Sequence, residues 1–346
     1  VKIPISESIK NGKTIMKRTL LAVTALVLTI FLLSFSEKKN SALPKASIRT
    51  LIIDAGHGGI DPGAKGLFST EADVSLSVAL KFGKAIEAEF PDIKIVYTRT
   101  SDQMAGNKKN KDDGNRYRAD LANASGGDLF IAIHCNSAGK RPGGWYQKVV
   151  TSKKPVKKTV GKGKKKKTIT TYKYTYANQW VENKARGTET YIWAVGKNND
   201  KVSSINKNEG SGDDEGEHEG EMEDSTTTLA LPDPSDPAEK ARMLIYAQQY
   251  FKKSLNLADL IEKEFVAGGR ISRGVKQRNH TGIWVLQATG MPSVLVEIGF
   301  ISNKEEEEYI NSNKGQEEIV TGLINAFRNY KQKLESKTIN TAATTP

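Results

Sequence analysis

The stretch Leu51–Gly66, "LIIDAGHGGIDPGAKG", sets the fold. Its first half is a short apolar run that reads as a strand buried on both faces, as in parallel sheets. Its second half is a loop in which glycines and charged residues crowd around His57. Two phosphate-binding readings of this loop fail. Gly58 and Gly63 have the spacing of a P-loop, but Ala64 stands where that motif needs lysine, and Asp61 stands where a dinucleotide-binding loop needs its third glycine. The remaining reading is a strand that delivers a histidine to the carboxyl edge of an α/β sheet, where such sheets place their ligands.

Outward from that stretch, strands and helices alternate. "TEADVSLSVALKFGKAIEAEF" has the three- and four-residue apolar spacing of a helix, "IKIVYTRT" reads as a strand, "RYRADLANAS" as a helix and "LFIAIHCNS" as a strand. The pattern resumes at Pro237 with a long helix through Phe265, the strand "SVLVEIGF" and a last helix over "NKGQEEIVTGLINAFRNYKQKL". The expectation is one α/β domain over residues 48–335, with a mostly parallel sheet flanked by helices and a disordered tail at 336–346.

A long polar insert interrupts it. Residues 139–187 hold the lysine run "KKPVKKTVGKGKKKKTITTYKYTY" and residues 197–237 the acidic "EGSGDDEGEHEGEMED", with the strand-like "GTETYIWAV" between. Both blocks flank that strand, so both are expected to be tethered to one edge of the sheet. Of 346 residues 52 are Lys or Arg and 40 Asp or Glu, a net charge of +12. Lysines mixed with Tyr172, Tyr174 and Tyr176 also suit a single-strand nucleic-acid binder. The acidic block and an export segment argue against that partner, and tyrosines alternating with polar residues read instead as an exposed hairpin turning at Gly161 and Gly163.

The export segment is "MKRTLLAVTALVLTIFLLSFS": a basic pair at Lys17 and Arg18, then an apolar run from Thr19 to Phe35 ending in small residues. This is the layout of a signal peptide over residues 1–36 with its start at Met16, followed by a linker at 37–47; cleavage after Ser36 would leave no membrane span, and the alternative is a segment retained as a membrane anchor. The single cysteine, Cys135, has no disulfide partner in the chain.

Three segments bring metal-ligand types toward the carboxyl edge: His57 just past the first strand, Glu71 at the start of the next helix and His134 at the end of a strand. Two imidazoles and a carboxylate with an open fourth position make a hydrolytic zinc arrangement. Taken singly, each residue has an ordinary alternative, such as Glu71 favouring a helix dipole. Cys135, next to His134 on a strand, is expected on the opposite, packing face. Glu297 interrupts the apolar strand "SVLVEIGF", a costly place for a carboxylate unless a metal site lies beside it.

"IDAGHGGIDPGA", Glu71 in "EADVSL", "TRTSD", "RYRADLAN", "FIAIHCNS", "GTETYI", "RGVKQ" and "VLVEIGFISN" occur in the order found in the zinc-dependent N-acetylmuramoyl-L-alanine amidases of the type-3 group, and the chain resembles that family. The resemblance implies a six-stranded α/β sheet, zinc bound by His57, Glu71 and His134, and Glu297 as the catalytic carboxylate. It also implies peptidoglycan as substrate, cut between the lactyl group of N-acetylmuramic acid and L-alanine, with the protein exported to the periplasm or cell envelope. Asn136, Arg273 and Lys276 are candidate substrate-binding residues. The rival readings are another zinc peptidase of the cell wall and an inactive peptidoglycan-binding scaffold. "RNHTGIWVLQ" departs from the family's usual run into the last strand and leaves Arg278, Asn279 and His280 without assigned roles. Regulated members carry an inserted helix that covers the zinc until a partner displaces it. Here the acidic insert, through Glu209 or Glu217, is expected to occlude the metal until an exported activator releases it.

Overall fold

The structure, a computed structural model, describes residues 48–139, 141–194, 201, 237–279 and 281–343. The signal segment, the linker, Glu209, Glu217 and His280 lie outside the described residues. In chain order the elements begin with β1 (Thr50–Ala55), α1 (Glu71–Glu89), β2 (Lys94–Tyr97), α2 (Lys111–Ala124) and β3 (Leu129–Asn136). The strands β4 (Gly144–Val160), β5 (Lys167–Glu182) and β6 (Thr188–Ile192) follow, then α3 (Pro237–Ala267), β7 (Ser272–Gln277), α4 (Trp284–Ala288) and β8 (Ser293–Phe300). Helices α5 (Lys304–Asn311) and α6 (Asn313–Ala343) complete the set.

Six strands form one sheet in the order β2-β1-β3-β8-β6-β7. Strands β2, β1, β3 and β8 run parallel; β6 is antiparallel to β8, and β7 is parallel to β6. The sheet is thus mostly parallel and covered on both faces, which is why its strands read as near-continuous apolar runs. On one face Ile53, Ile131 and Val296 pack among residues of α1, α3 and α6; on the other Ile52, Ala132 and Leu295 pack among Ala122 of α2 and Val285 and Leu286 of α4. Cys135 is buried on the first of these faces, opposite His134 in the strand alternation.

The basic insert forms the expected exposed hairpin: β4 and β5 pair antiparallel as a separate two-stranded sheet, with Gly161 and Gly163 at its turn. One expectation changes. The segment 336–343, expected as tail, continues α6, since neither glycine nor proline breaks the run before Pro346. Among the described residues no helix is long and apolar enough to cross a membrane.

Candidate active site

Alternation along three neighbouring strands builds the site. On the face covered by α2 and α4, Ile52, Ala132 and Leu295 are followed two residues later by Asp54, His134 and Glu297. Polar side chains therefore replace the apolar core at the carboxyl ends of β1, β3 and β8. His134 and Glu297 stand directly opposite each other in the β3–β8 register.

His57 and Glu71 complete the cluster. His57 sits just past β1 in a left-handed backbone conformation (φ 60°), and Glu71 is the first residue of α1, whose N-cap Thr70 accepts from the Asp73 N–H. One ligand atom from each of His57, Glu71 and His134 lies within 4.8 Å of the others. Glu71 Oε1 is 3.1 Å from His57 Nε2 and 2.7 Å from His134 Nδ1, and the backbone N–H of Ala64 donates to Oε2 at 2.8 Å. His57 Nδ1 lies 2.7 Å from Asp61 Oδ2, which orients the ring and leaves Nε2 toward the cluster. Burial disfavours a protonated His57, but hydrogen bonds and charge from Glu71 and Asp61 outweigh it and raise the imidazole pKa. Burial likewise disfavours ionised Glu71, but hydrogen bonds from His134 and His57 hold it well below the usual carboxylate range.

The glycines make room for these side chains. A Cβ on Gly63 would stand 2.6 Å from Glu71 Oε2 and 2.7 Å from the His57 ring, and one on Gly56 would run into the His134 ring. Bare backbone is needed because three ligand-type side chains converge behind it.

Glu297 is buried beside this cluster, and among the described residues its Oε2 has no hydrogen-bond partner. Arg278 Nη2 lies 3.9 Å from its Oε1. Burial, then the charge of Glu71, pushes its pKa up to about 8, against a partial opposing pull from Arg278. His57, Glu71, His134 and Glu297 share one open cleft of about 440 Å³, also lined by Asn136, Arg278 and Trp284.

The family model for N-acetylmuramoyl-L-alanine amidase matches residues 51–329. The chain belongs to the N-acetylmuramoyl-L-alanine amidase family. Among its relatives, the amidase AmiC of Escherichia coli O6:H1 is 26% identical over 283 residues, covering 81% of this chain and 52% of that protein. The sporulation-specific N-acetylmuramoyl-L-alanine amidase of Bacillus subtilis is 36% identical over 89 residues, covering 26% of this chain and 32% of that protein. The chain thus spans about half or less of these two relatives' lengths. A crystal structure of the N-acetylmuramoyl-L-alanine amidase from Clostridium difficile 630 aligns over 82% of this chain and 97% of its own, at 20% identity and a TM-score of 0.47.

Several of the amidase motif residues hold the loop that carries His57 in place. Arg99 of "TRTSD" donates to the carbonyls of Ala55 (2.9 Å), Gly56 (2.7 Å) and Ala72 (2.7 Å). Arg118 of "RYRADLAN" donates to the carbonyls of Ala55 and His57 and pairs with buried Asp54, to which Thr98 also donates. The Arg118 charge helps keep Asp54 ionised against its burial. From the far side, Glu307 of α5 is fully buried and accepts from the N–H groups of Leu67, Phe68 and Ser69 at 2.7–2.9 Å, fixing the chain just before Glu71. Sequence reasoning missed Glu307. It lies in a run of four glutamates that reads as a solvated helix face.

It also missed Glu189, although "GTETYI" contains it. Glu189 pairs with Glu297 in the β6–β8 register and is almost fully buried. It accepts from Asn136 Nδ2 (2.8 Å), Arg273 Nε (2.6 Å), Lys276 Nζ (2.6 Å) and Tyr191 Oη (2.8 Å). The three candidate substrate residues thus meet on one carboxylate; Asn136 lines the cleft itself, while Arg273 and Lys276 stand beside it. In "RNHTGIWVLQ", Arg278 reaches toward Glu297 and lies over the Tyr191 ring at 5.0 Å, and Trp284 is a half-exposed wall of the cleft.

The shared tether of the two inserts needs correction. Because β6 runs antiparallel to β8, the basic hairpin enters β6 at the site's end of the sheet and the acidic block leaves it at the other. Lys201 marks that far end: its buried Nζ donates to the Leu286 carbonyl (2.9 Å) and to Ser293 Oγ (3.0 Å) at the start of β8. Burial lowers its pKa well below the usual lysine value.

Proposed function

We propose that this family member is a zinc-dependent hydrolase of peptidoglycan that cuts the amide between the lactyl group of N-acetylmuramic acid and L-alanine, in wall remodelling or daughter-cell separation. The observation that carries the reading is Glu297, a buried carboxylate with an oxygen unpaired among the described residues, beside two imidazoles and a second carboxylate in one cleft. The donor set suits zinc, and Gly56 and Gly63 leave the space that the three ligand side chains fill. His57, Glu71 and His134 would hold the ion, which when bound supplies Lewis acidity toward the lactyl carbonyl and the attacking water.

The chain's own residues manage the proton. Glu297 accepts it from the attacking water and hands it to the departing alanine nitrogen, a role usually contributing about 10²- to 10⁴-fold. Asp61 holds the His57 ring by its Nδ1, and Asn136, Arg273, Lys276 and Arg278 offer donors and positive charge to the carboxylates of the stem peptide. The substrate places the protein outside the cytoplasm, in the periplasm or cell envelope.

Digestion of purified muropeptides tests the reading. Free intact stem peptide with peptide-free glycan is expected, whereas cuts within the stem would make the chain a peptidase. Glu297→Gln should keep one zinc per chain and lose most turnover; undiminished hydrolysis would remove Glu297 from the mechanism. We propose in addition that Glu209 or Glu217 competes for the metal's open position until an exported activator withdraws the acidic insert. Deleting residues 205–234, which spares Lys201, should then raise wall hydrolysis several-fold at unchanged zinc content.

A further inference from the structure

The β4–β5 hairpin has a face that serves neither the core nor the cleft. Paired residues share a face, and the register sets Tyr146 opposite Trp180, Val150 opposite Tyr176, Lys153 opposite Tyr174 and Pro155 opposite Tyr172. Five large aromatic side chains therefore lie on one side of a two-stranded ribbon. All are open to solvent: Tyr146 is 70% exposed, Tyr172 50%, Tyr174 43%, Tyr176 56% and Trp180 52%. At the rise of an extended strand, the row from Tyr172 to Trp180 is about 27 Å long, the scale of a polymer rather than a small ligand.

Charge accompanies the rings. Residues 144–182 contain eleven lysines and one carboxylate, Glu182. Lys148, Lys153 and Lys157 fall on the aromatic face by register, with Lys153 Nζ 4.0 Å from the Tyr172 ring centroid and 5.9 Å from that of Tyr174. Exposed aromatic surface of this extent has no folding role here, and a row of rings edged by cations matches a ligand with apolar faces and anionic groups at repeated intervals.

The hairpin is rooted at the site's end of the sheet. Asn183 Nδ2 donates to the Ala138 carbonyl (2.7 Å), Gly143 N–H to the Ser302 carbonyl (2.9 Å) and Asn303 Nδ2 to the Asn183 carbonyl (2.9 Å). These bonds clamp its base between the chain leaving β3, which carries His134, and the chain leaving β8, which carries Glu297.

We propose that the Tyr–Trp face of the hairpin is a second peptidoglycan-binding surface, on which the pyranose rings of a glycan strand lie against the aromatic row while the flanking lysines pair with stem-peptide carboxylates. This rests on the function proposed above, because that reading brings a polymer of sugars and acidic peptides to the adjoining cleft. A single-stranded nucleic acid would use both the rings and the lysines and is the rival that the experiment excludes.

The test is co-sedimentation with purified insoluble peptidoglycan at 4 °C in the Glu297→Gln background, alongside hydrolysis of a small soluble muropeptide by the same hairpin variants with Glu297 intact. Replacing Tyr172, Tyr174, Tyr176 and Trp180 together by alanine should weaken sedimentation at least tenfold and leave muropeptide hydrolysis within twofold of the parent. Replacing Lys148, Lys153 and Lys157 by glutamine leaves the rings in place and should reduce the salt dependence of binding. Circular dichroism and zinc content verify that each variant is folded. Full sedimentation of the folded four-ring variant, or tighter binding of a single-stranded oligonucleotide than of peptidoglycan by the same face, overturns the proposal. If the muropeptide is not cut but the rings still govern sedimentation, the catalytic reading fails and the surface stands. If it is cut and the rings are irrelevant, the reverse holds.

Discussion

In the six-stranded sheet, residues of both parities are covered: Ile53, Ile131 and Val296 by one set of helices, Ile52, Ala132 and Leu295 by the other. In the β4–β5 hairpin neither parity is covered, and no residue from 146 to 182 belongs to either core. The same two-residue period has opposite consequences in the two regions. Where helices close over a strand, an apolar side chain stabilises the fold and a polar one marks the site, as at Asp54, His134 and Glu297. Where nothing closes over the strand, polar side chains are ordinary and the aromatic ones call for an explanation outside the fold.

The comparison can be pressed first where the covered sheet is polar. His134→Ala removes an imidazole from the only cluster of metal-ligand type found among the described residues. Zinc measured by plasma emission should fall to a small fraction of one per chain, with hydrolysis at background; near-stoichiometric metal would break the ligand assignment.

A smaller but still large effect is expected just behind the His57–Glu71–His134 cluster. Arg118→Met leaves Asp54 buried without its cation, and breaking a buried pair from one side typically costs about 3–5 kcal/mol. Urea unfolding should show the loss as an earlier midpoint. The zinc affinity should weaken too, because the Arg118 bond to the His57 carbonyl is gone. An unchanged midpoint would show that the pair does not support the loop.

The smallest effect on stability belongs to the bare hairpin. Replacing residues 149–177 by Asn-Gly joins Lys148 to Asn178, which are already register partners. The unfolding free energy of the domain should change by about 0.5 kcal/mol or less, as for surface changes remote from a core. A loss of several kcal/mol would mean that the hairpin supports the fold after all.

Much of the fold was legible in the sequence because burial on both faces of a sheet forces apolar runs, and such runs separated by amphipathic helices have few other arrangements. Strand β8 coincides with "SVLVEIGF", and α3 begins at Pro237, where the long helix was expected to start. His57, Glu71, His134 and Glu297 were legible for a related reason: each is a polar residue at the end of an apolar strand or the start of a helix, where the chain must pass the carboxyl edge.

What the sequence could not supply was which distant segments meet. Glu307 looks like one more exposed glutamate until α5 brings it under the N–H groups of residues 67–69. Glu189 acquires its role only when the antiparallel β6 sets it beside Glu297 and gathers Asn136, Arg273 and Lys276 around it. The same reversal decides that the basic hairpin, and not the segment after β6, joins that strand at the site's end of the sheet. Local sequence fixes which face a residue takes on its own strand, through a period of two. The direction of a strand, and hence its neighbours, follows from packing the whole sheet, and only the tertiary structure decides it.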